Sequence, residues 1–385
     1  MLLLGYIICI SFGLSYLLLI KKYLFHWHSI PEFSLDKAFI EFPFISIIVA
    51  ARNEENNIST CLQSLIEQDY PKDKYEIIVV DDHSTDKTIE EVKKIQEKNK
   101  RIHLISMSND GEKKGVVSYK REAIQAGMAL SKGDFLLLTD ADCEVSTDWV
   151  KLISFLFIKE KCVFVGGPVV ISLKTTRLLP TFQALDMIGM MIITGAGFHS
   201  GNQLLANGAN MAFSKQAFHD AGGFSKFPAK ASGDDMFLLH QMNKYYPGNI
   251  RFLKTLGGVV KTKPMTTITG FIQQRIRWAS KNRNYNEVKI SLSLLLIFLL
   301  STFIILLGLL SFIKFTLFFP FFVILYLSKF YGDYLLQREA ITFFKESRLS
   351  KYVFASQQLH TLYIFILGIM GNVVPRYQWK GRMVK

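Results

Sequence analysis

An uncharged apolar run from Leu2 to Ile20 constrains this chain more than anything else in it, because it is just long enough to cross a bilayer core of about 30 Å as a helix. Lys21 and Lys22 follow at once. A cleaved signal peptide carries its positive charge ahead of the apolar stretch and small residues behind it, the reverse of this order, so residues 1–22 read as a retained anchor. Basic residues beside a span tend to stay cytoplasmic, which puts the following domain in the cytoplasm, at a plasma membrane or a bacterial inner membrane, and the N-terminus across it. Three more uncharged runs lie near the other end: Ile290 to Ile313, Phe315 to Ser328 with Pro320 inside it, and Tyr352 to Val374 with Gln357, Gln358 and His360 in its first half. They predict two transmembrane helices over 289–331, a polar connection over 332–351, and a transmembrane or re-entrant helix over 352–375. The first of them lacks the polar stripe of a soluble surface helix. In the basic tail, 376–385, Arg376, Lys380, Arg382 and Lys385 favour the cytoplasm, whereas an odd number of C-terminal spans would carry them outside.

Half of the composition is hydrophobic, yet a fifth of the residues are charged, so a polar domain must lie between the anchors, over 42–288. The net charge of +13 comes from scattered Lys and Arg with no aromatic–basic stacking module, which speaks against nucleic acid and for an anionic membrane surface. Cys9, Cys61, Cys143 and Cys162 show no metal-type spacing, and in a cytoplasmic domain they are expected to be reduced.

The middle of the chain opens with alternating strand and helix signals. Ile45–Ala51 reads as a buried strand, Glu54–Gln68 as a helix with apolar Ile58, Leu62 and Leu65, and Tyr75–Val80 as a second strand. Ser84-Thr-Asp-Lys-Thr supplies capping residues for another helix, Ile102–Ile105 is a third strand, Arg121–Leu130 a helix, and Phe135–Thr139 a fourth strand. This order predicts an α/β fold with a mostly parallel sheet and helices on both faces. Ligands of such sheets bind outside the carboxyl ends of the strands. The polar residues there are Arg52, Asn53 and Glu54 after the first strand, Asp81 and Asp82 after the second, and Asp140 and Asp142 after the fourth. Any one of these acids could simply solvate a loop. Acids at three neighbouring strand ends repel one another unless a cation or a hydrogen-bond donor joins them.

Asp140-Ala-Asp142 puts two carboxylates on one side of a strand end, suited to a hard cation such as Mg²⁺ or Mn²⁺ that would neutralise a diphosphate leaving group. Ser232-Gly-Asp-Asp-Met236 is a second acidic pair before an apolar helical stretch, where Asp234 can cap the helix while Asp235 turns to a site. Gln274-Arg-Ile-Arg-Trp278 has the composition of an interfacial amphipathic helix. Met187–Thr194 is apolar and too short to span, hence core or an interfacial contact.

Taken in order, the strand with Arg52-Asn-Glu-Glu, Val80-Asp-Asp-His-Ser-Thr-Asp86, Asp140-Ala-Asp142, Gly233-Asp-Asp235 and Gln274-x-x-Arg277-Trp278 resemble the family 2 inverting glycosyltransferases over residues 44 to 280. The resemblance extends to the membrane-bound branch with cellulose, chitin, hyaluronan and poly-N-acetylglucosamine synthases and ceramide glucosyltransferases. It implies a glycosyltransferase-A-type nucleotide-binding sheet. It also implies that Ala51, Arg52, Glu54, Lys120 and Asp140 border the donor, with Asp81 or Asp82 at the base edge. On the same carry-over, Asp142 with Asp140 serves the metal and diphosphate, Asp235 is the general base, and Asp234, Gln274, Arg277 and Trp278 lie on the acceptor and diphosphate side. Lys113-Lys-Gly115 through Lys120-Arg121 resembles the family's lysine-rich loop. Asn207-Gly-Ala-Asn-Met-Ala212 and Gly222-Gly-Phe224 resemble its acceptor-side segment, though these glycines also suit turns with positive φ. Two departures stand out. The usual Glu before the base is Asp234, and the usual Gly after the second acidic pair is His83.

The expectation is therefore a membrane-anchored enzyme moving a sugar from a nucleotide-sugar donor, of the UDP type, to a lipid or glycan hydroxyl with a divalent metal. A processive polysaccharide synthase is the rival within enzymes. A donor-binding inactive subunit of a synthase complex is the rival outside them, and it would be marked by a lost carboxylate.

Overall fold

A computed structural model describes residues 2–33, 35, 41–107, 118–226, 233–281, 288–373, 377–379 and 382–384. The stretch with Lys113–Gly115, Ser232, and the tail residues Arg376, Lys380 and Lys385 fall outside the described residues. The chain divides into two compact units, one made of residues 31–172, 204–263 and 378–385, the other of residues 1–30, 173–203 and 264–377. The sequence reading assigned 173–203 and 264–288 to the catalytic domain. Their contacts group 173–203 and 264–281 with the apolar helices instead.

The first unit holds β1 (Ile45–Ala51), α2 (Ile58–Ile66), β2 (Tyr75–Asp81), α3 (Thr88–Gln96), β3 (Ile102–Ser106), α4 (Tyr119–Leu130), β4 (Phe135–Asp140) and α5 (Trp149–Lys159). These are followed by β5 (Phe164–Gly166), β6 (Val169–Ile171), β7 (Met211–Ser214), α7 (Lys215–Asp220), α8 (Asp234–Tyr245), β8 (Ile250–Phe252) and β9 (Val260–Thr262). The missing label, α6, is Leu178–Ser200 of the other unit. Seven strands form one sheet in the order β3-β2-β1-β4-β7-β5-β8, with β7 antiparallel to both neighbours and the other pairings parallel. β6 and β9 make a separate parallel pair. All of β2 and nearly all of β1 are buried, as expected for strands covered on both faces. α4 comes close to this core at Gly127, where a methyl group would stand 2.8 Å from Ile48 Cγ2. Phe157 of α5 stacks on Phe135 of β4 at 4.2 Å between ring centroids.

The second unit is helical: α1 (Leu2–His28), α6, α9 (Ile268–Lys281), α10 (Val288–Ser311), α11 (Phe315–Phe343) and α12 (Val353–Val373). α1 lies against α6, α10 and α11. α1 and α11 approach closely where glycines remove side-chain bulk, Gly13 facing Ser328 and Gly332 facing Tyr16. Trp27 is fully buried, donating Nε1–H to Glu339 at 3.1 Å and meeting Phe343 edge-on. Five helices among the described residues are long and apolar enough to cross a membrane: α1, α6, α10, α11, and residues 347–370 containing most of α12.

Two of these correct the sequence reading. The span ending at Ser328 with a polar connection after it is one helix of 29 residues, because Lys329 and Asp333 pair one turn apart and need no water. Likewise Met187–Thr194 is part of a helix of 23 residues, long enough to span, whose apolar character continues all round because most of it is buried. In the chain α6 falls between strands that hydrogen-bond side by side in one sheet, β4 and β5 before it and β7 after it.

Candidate active site

Register brings the functional strand ends level. Ala51 pairs with Asp81, and Ala50 with Asp140, so the carboxyl ends of β2, β1 and β4 form one edge. The loops leaving this edge are laced together. Asp82 N–H donates to Ala51 O at 2.8 Å, and Arg52 Nη1 donates to the carbonyls of Asp82 (2.8 Å) and His83 (3.2 Å). Asn53 N–H donates to Ser84 Oγ, Thr85 N–H to Asn53 Oδ1, Glu54 N–H to Thr88 Oγ1, and Glu55 N–H to Asp86. This lacing keeps residues 52–57 out of the helix that the sequence pattern began at Glu54; α2 starts only at Ile58. Asn53 and His83 both have left-handed φ, at 51° and 57°. His83 thus stands where the family's glycine would be at ease, and its Nδ1 lies 2.9 Å from Asp82 Oδ1.

Beneath these loops Asp81 is buried; its Oδ2 accepts from Ser84 N–H at 3.2 Å, while Oδ1 has no hydrogen-bond partner among the described residues. A buried carboxylate oxygen in that state suits a donor group brought by a ligand. Glu54, also buried, accepts from Asn57 Nδ2 at 2.6 Å and so shapes its own loop.

Next along the edge, Ser118 caps α4 by accepting from Arg121 N–H, and the helix carries Lys120 to an ion pair with Asp140. A methyl group placed on Gly208 would stand 3.4 Å from Lys120 Nζ and 3.9 Å from Asp235 Oδ2. Lys120 and Asp235 therefore flank one glycine, and Asp140 joins them through its ion pair with Lys120. Asp235 sits in the first turn of α8, half-buried, with Oδ1 accepting from Met236 N–H. Asp142, one residue beyond β4 and its turn, has Cys143 Sγ at 3.5 Å from Oδ1 and Thr262 Oγ1 at 3.5 Å from Oδ2.

Asp234 does not cap α8. The N-cap is Gly233, at φ 106°, and the Asp234 carboxylate instead accepts from Ser118 Oγ (2.9 Å), Arg121 Nε (2.8 Å) and Arg121 Nη2 (2.5 Å). The fork of one guanidinium ties the start of α8 to the start of α4, and so sets Asp235 beside Lys120. Gln274, Arg277 and Trp278 lie on α9, in the other unit.

Two thiols lie under the acids. Cys61 Sγ is 3.6 Å from Asp140 O, and burial pushes the Cys61 and Cys143 thiols well up, with the charges of Asp142 and Asp140 adding to the shift. Asn210 is a clamp that no local pattern announces. Buried between elements, it donates to Pro168 O and Gly258 O and accepts from Trp149 Nε1, which fixes the segment carrying Gly208. Its partners are 42 to 61 residues away, beyond the reach of any local pattern.

Comparison with known proteins agrees with this architecture. Residues 46–220 match the family described as Glycosyl transferase family 2, and residues 135–332, more than half of the chain, match Glycosyl transferase family group 2. The chain belongs to the family 2 glycosyltransferases and is an enzyme of that class. It is 28% identical over 254 residues to a beta-monoglucosyldiacylglycerol synthase of Nostoc sp., covering 62% of this chain and 48% of that protein. It is 35% identical over 108 residues to the dolichyl N-acetyl-alpha-D-glucosaminyl phosphate 3-beta-D-2,3-diacetamido-2,3-dideoxy-beta-D-glucuronosyltransferase of Methanococcus voltae, covering 28% of this chain and 32% of that protein. The chain thus spans half or less of the length of these relatives. Among solved structures, the mannosyltransferase PcManGT of Pyrobaculum calidifontis, in complex with GDP-Man and Mn²⁺, aligns over 96% of this chain and 97% of its own with a TM-score of 0.54 at 17% identity, a likeness of fold.

Proposed function

We propose that the chain transfers a sugar, with inversion, from a UDP-sugar to a hydroxyl of a lipid or lipid-linked glycan at a membrane surface. The observation that carries the reading is the meeting of Lys120 and Asp235 at Gly208, with Asp140 paired to Lys120, at the carboxyl edge of the sheet. The Arg52, Asp81 and Asp82 loops form the nucleoside side, where Asp81 Oδ1, without a hydrogen-bond partner among the described residues, accepts from the base or ribose. Lys120 offsets the diphosphate charge. Asp235 takes the proton of the acceptor hydroxyl as its oxygen bonds to the anomeric carbon, and the carbon–oxygen bond to the diphosphate breaks. Membership of the family, the apolar helices and the glycolipid synthase among the relatives support this reading.

No group of three or more His, Cys, Asp or Glu side chains is arranged to hold a metal among the described residues. Two carboxylates, Asp140 and Asp142, with the Thr262 hydroxyl near the second, nonetheless suit a hard cation such as Mg²⁺ or Mn²⁺ that shares its ligands with substrate phosphates. When bound, such a cation neutralises the leaving diphosphate. Gln274, Arg277 and Trp278 act on the acceptor and diphosphate side.

Lys21 and Lys22 at the end of the apolar part of α1 favour a cytoplasmic catalytic unit. The product is a single addition or a short oligosaccharide. The test is product analysis of the purified chain in lipid vesicles, with labelled UDP-sugars and a panel of diacylglycerol and polyprenyl-phosphate acceptors. A labelled lipid made only with divalent cation supports the reading. No transfer from any nucleotide sugar overturns it, and a long polymer overturns the single addition.

A further inference from the structure

Within the helical unit, three helices run along one another and α12 runs across them. α1 and α11 are parallel, since Gly5 faces Phe321, Gly13 faces Ser328, Tyr16 faces Gly332, and Trp27 meets Glu339 and Phe343. α10 is antiparallel to α1: Phe12 meets Phe303 edge-on, and Tyr23 hydrogen-bonds Ser293. Phe298 lies midway between Phe303 and Ser293, hence level with the stretch of α1 just after Tyr16. Tyr16 in turn donates to Asp333 of α11. Phe298 and Asp333 therefore stand at one height in the bundle.

α12 does not climb this ladder. Near its start Phe354 meets Phe330 at 5.9 Å between ring centroids, and Gln357 Nε2 donates to Phe330 O at 3.2 Å. Towards its end Gly368 packs on Phe298. Between Gln357 and Gly368 the unbroken helix advances about 16 Å along its own axis, while the level of its neighbours moves only from Phe330 to Asp333, less than one turn of α11. The helix also wears its polarity inside out. Phe354, Leu362, Ile366 and Ile369 are exposed on one face, whereas Ser356 and Gln357 are buried on the other, with His360 Nδ1 3.3 Å from Lys329 Nζ. Lys329 pairs with Asp333 there, and a charged pair in an apolar bundle needs cover from acyl chains. The polar face of α12 supplies that cover.

Height along α1 gives the depth. Lys21 and Lys22, both exposed, lie about 8 Å beyond Tyr16 towards the carboxyl end of α1, so α12 crosses about 8 Å inside their level. That is the depth at which an amphipathic helix rests between headgroups and acyl chains. Lys345 and Lys351, exposed in the connection leading into α12, suit lipid phosphates. We propose that α12 is a lipid-binding helix laid in the plane of the membrane interface and not a span, with Phe354, Leu362, Ile366 and Ile369 resting on acyl chains. Lipid is the occupant because the stripe continues an exposed apolar surface of a span: Tyr331 of α11, next to the Phe330 that Phe354 meets, is exposed as well. α10 leaves from the carboxyl end of α1 and α11 returns to it, so with α12 in the plane the chain after Val373 stays on the side of Lys21 and Lys22. The basic tail then obeys the charge rule that an odd number of C-terminal spans would break. None of this depends on the proposed transfer reaction.

The experiment uses the full chain with Cys9→Ser, which leaves the buried Cys61, Cys143 and Cys162, and adds one exposed cysteine at a time. In vesicles of phosphatidylethanolamine and phosphatidylglycerol, nitroxides at Phe354→Cys, Leu362→Cys and Ile369→Cys report depth through collisions with oxygen and with a water-soluble nickel chelate. Leu294→Cys and Leu309→Cys on α10 set the scale of a span, about 22 Å apart. The expected result is oxygen contact at all three α12 sites and depths that agree to within about one helical turn, or about 5 Å. A depth difference like that of the α10 pair overturns the proposal. So do labels shielded from both reagents, because protein, a second copy included, would then cover the stripe. Sidedness gives an independent reading: in sealed vesicles an impermeant maleimide should reach Lys385→Cys from the side that reaches Lys22→Cys, and Phe312→Cys from the other. Lys385→Cys labelling with Phe312→Cys would make α12 a span and overturn the proposal.

Discussion

The two units handle carboxylates in opposite ways. At the sheet edge, Asp140 ends β4, Asp142 lies in the turn after it and Asp235 in the first turn of α8, all half-buried, with Lys120 paired to Asp140 and the Thr262 hydroxyl and Cys143 thiol each 3.5 Å from Asp142. In the helical unit two carboxylates each face a cation, Asp186 with Arg275 and Asp333 with Lys329, both pairs almost fully withdrawn from solvent. The first three carboxylates keep part of their surface open to solvent, where a ligand can reach them. The second two are withdrawn from it and answer to shape. Catalytic and architectural carboxylates are thus told apart here by their access to solvent.

The sharpest way to break that contrast is Asp235→Asn, which keeps size and removes the base. Transfer should fall on the order of 10²-fold or more while UDP-sugar affinity, read by isothermal titration, hardly changes. An active Asp235→Asn would mean that the acceptor proton goes elsewhere. Asp142→Asn should come next. It weakens a hard-cation site, so activity at low Mg²⁺ or Mn²⁺ should fall about tenfold or more and recover in part at high metal, and full activity in excess chelator would remove the metal from the reading.

Asp234 lies between the two styles. It is at the site, yet it is matched by Arg121, with side-chain exposures of 13% and 11% for Arg121 and Asp234. Arg121→Met leaves the buried carboxylate without its cation and should cost about 2 kcal/mol or more in denaturant unfolding, below the value for a fully buried pair because some solvent reaches it. Asp234→Glu, which restores the family's usual residue, should be tolerated better than Asp234→Asn. Equal stability of all three would show that the fork to Arg121 carries no weight.

The smallest effect concerns the thiols under the acidic edge. Burial, then the charges of Asp142 and Asp140, hold the Cys61 thiol above its ordinary value of 9.0, and Cys143 likewise. Folded protein therefore keeps both protonated where an unfolded chain begins to ionise, so their contribution to stability is level below about pH 9 and is lost as pH rises beyond it. Alkylation at pH 8.5 should be slow in the folded protein and quick in denaturant. Rapid labelling of native protein would mean that this edge is more open than its burial implies.

What was legible in the sequence follows the same division. β1, β2 and β4 announce themselves as apolar runs, because strands buried on both faces need no polar alternation, and the polar residues that end β2 and β4 or follow β1 mark where the sheet meets solvent. β5 to β9 are three or four residues each, too short to show any period. Asp234 read as a cap because acids are common in a first helical turn, and only its distant partners, Ser118 and Arg121, reveal the ion pair. The polar residues of α11 read as a break, since only the fold shows that the i,i+4 pair of Lys329 and Asp333 is buried and that Tyr16 donates to Asp333.

The place of β7 in the sheet has a consequence for how the chain is made. β3, β2, β1 and β4 are contiguous in the sheet and emerge first from the ribosome, but β5 cannot join them until β7 has been translated, and β7 lies beyond α6. During that interval the edge of β4 is open and a long apolar helix has appeared. Pairing of that edge with another chain is the hazard of the interval, and Met211–Ser214 closes it by pairing with β4 on one side and β5 on the other.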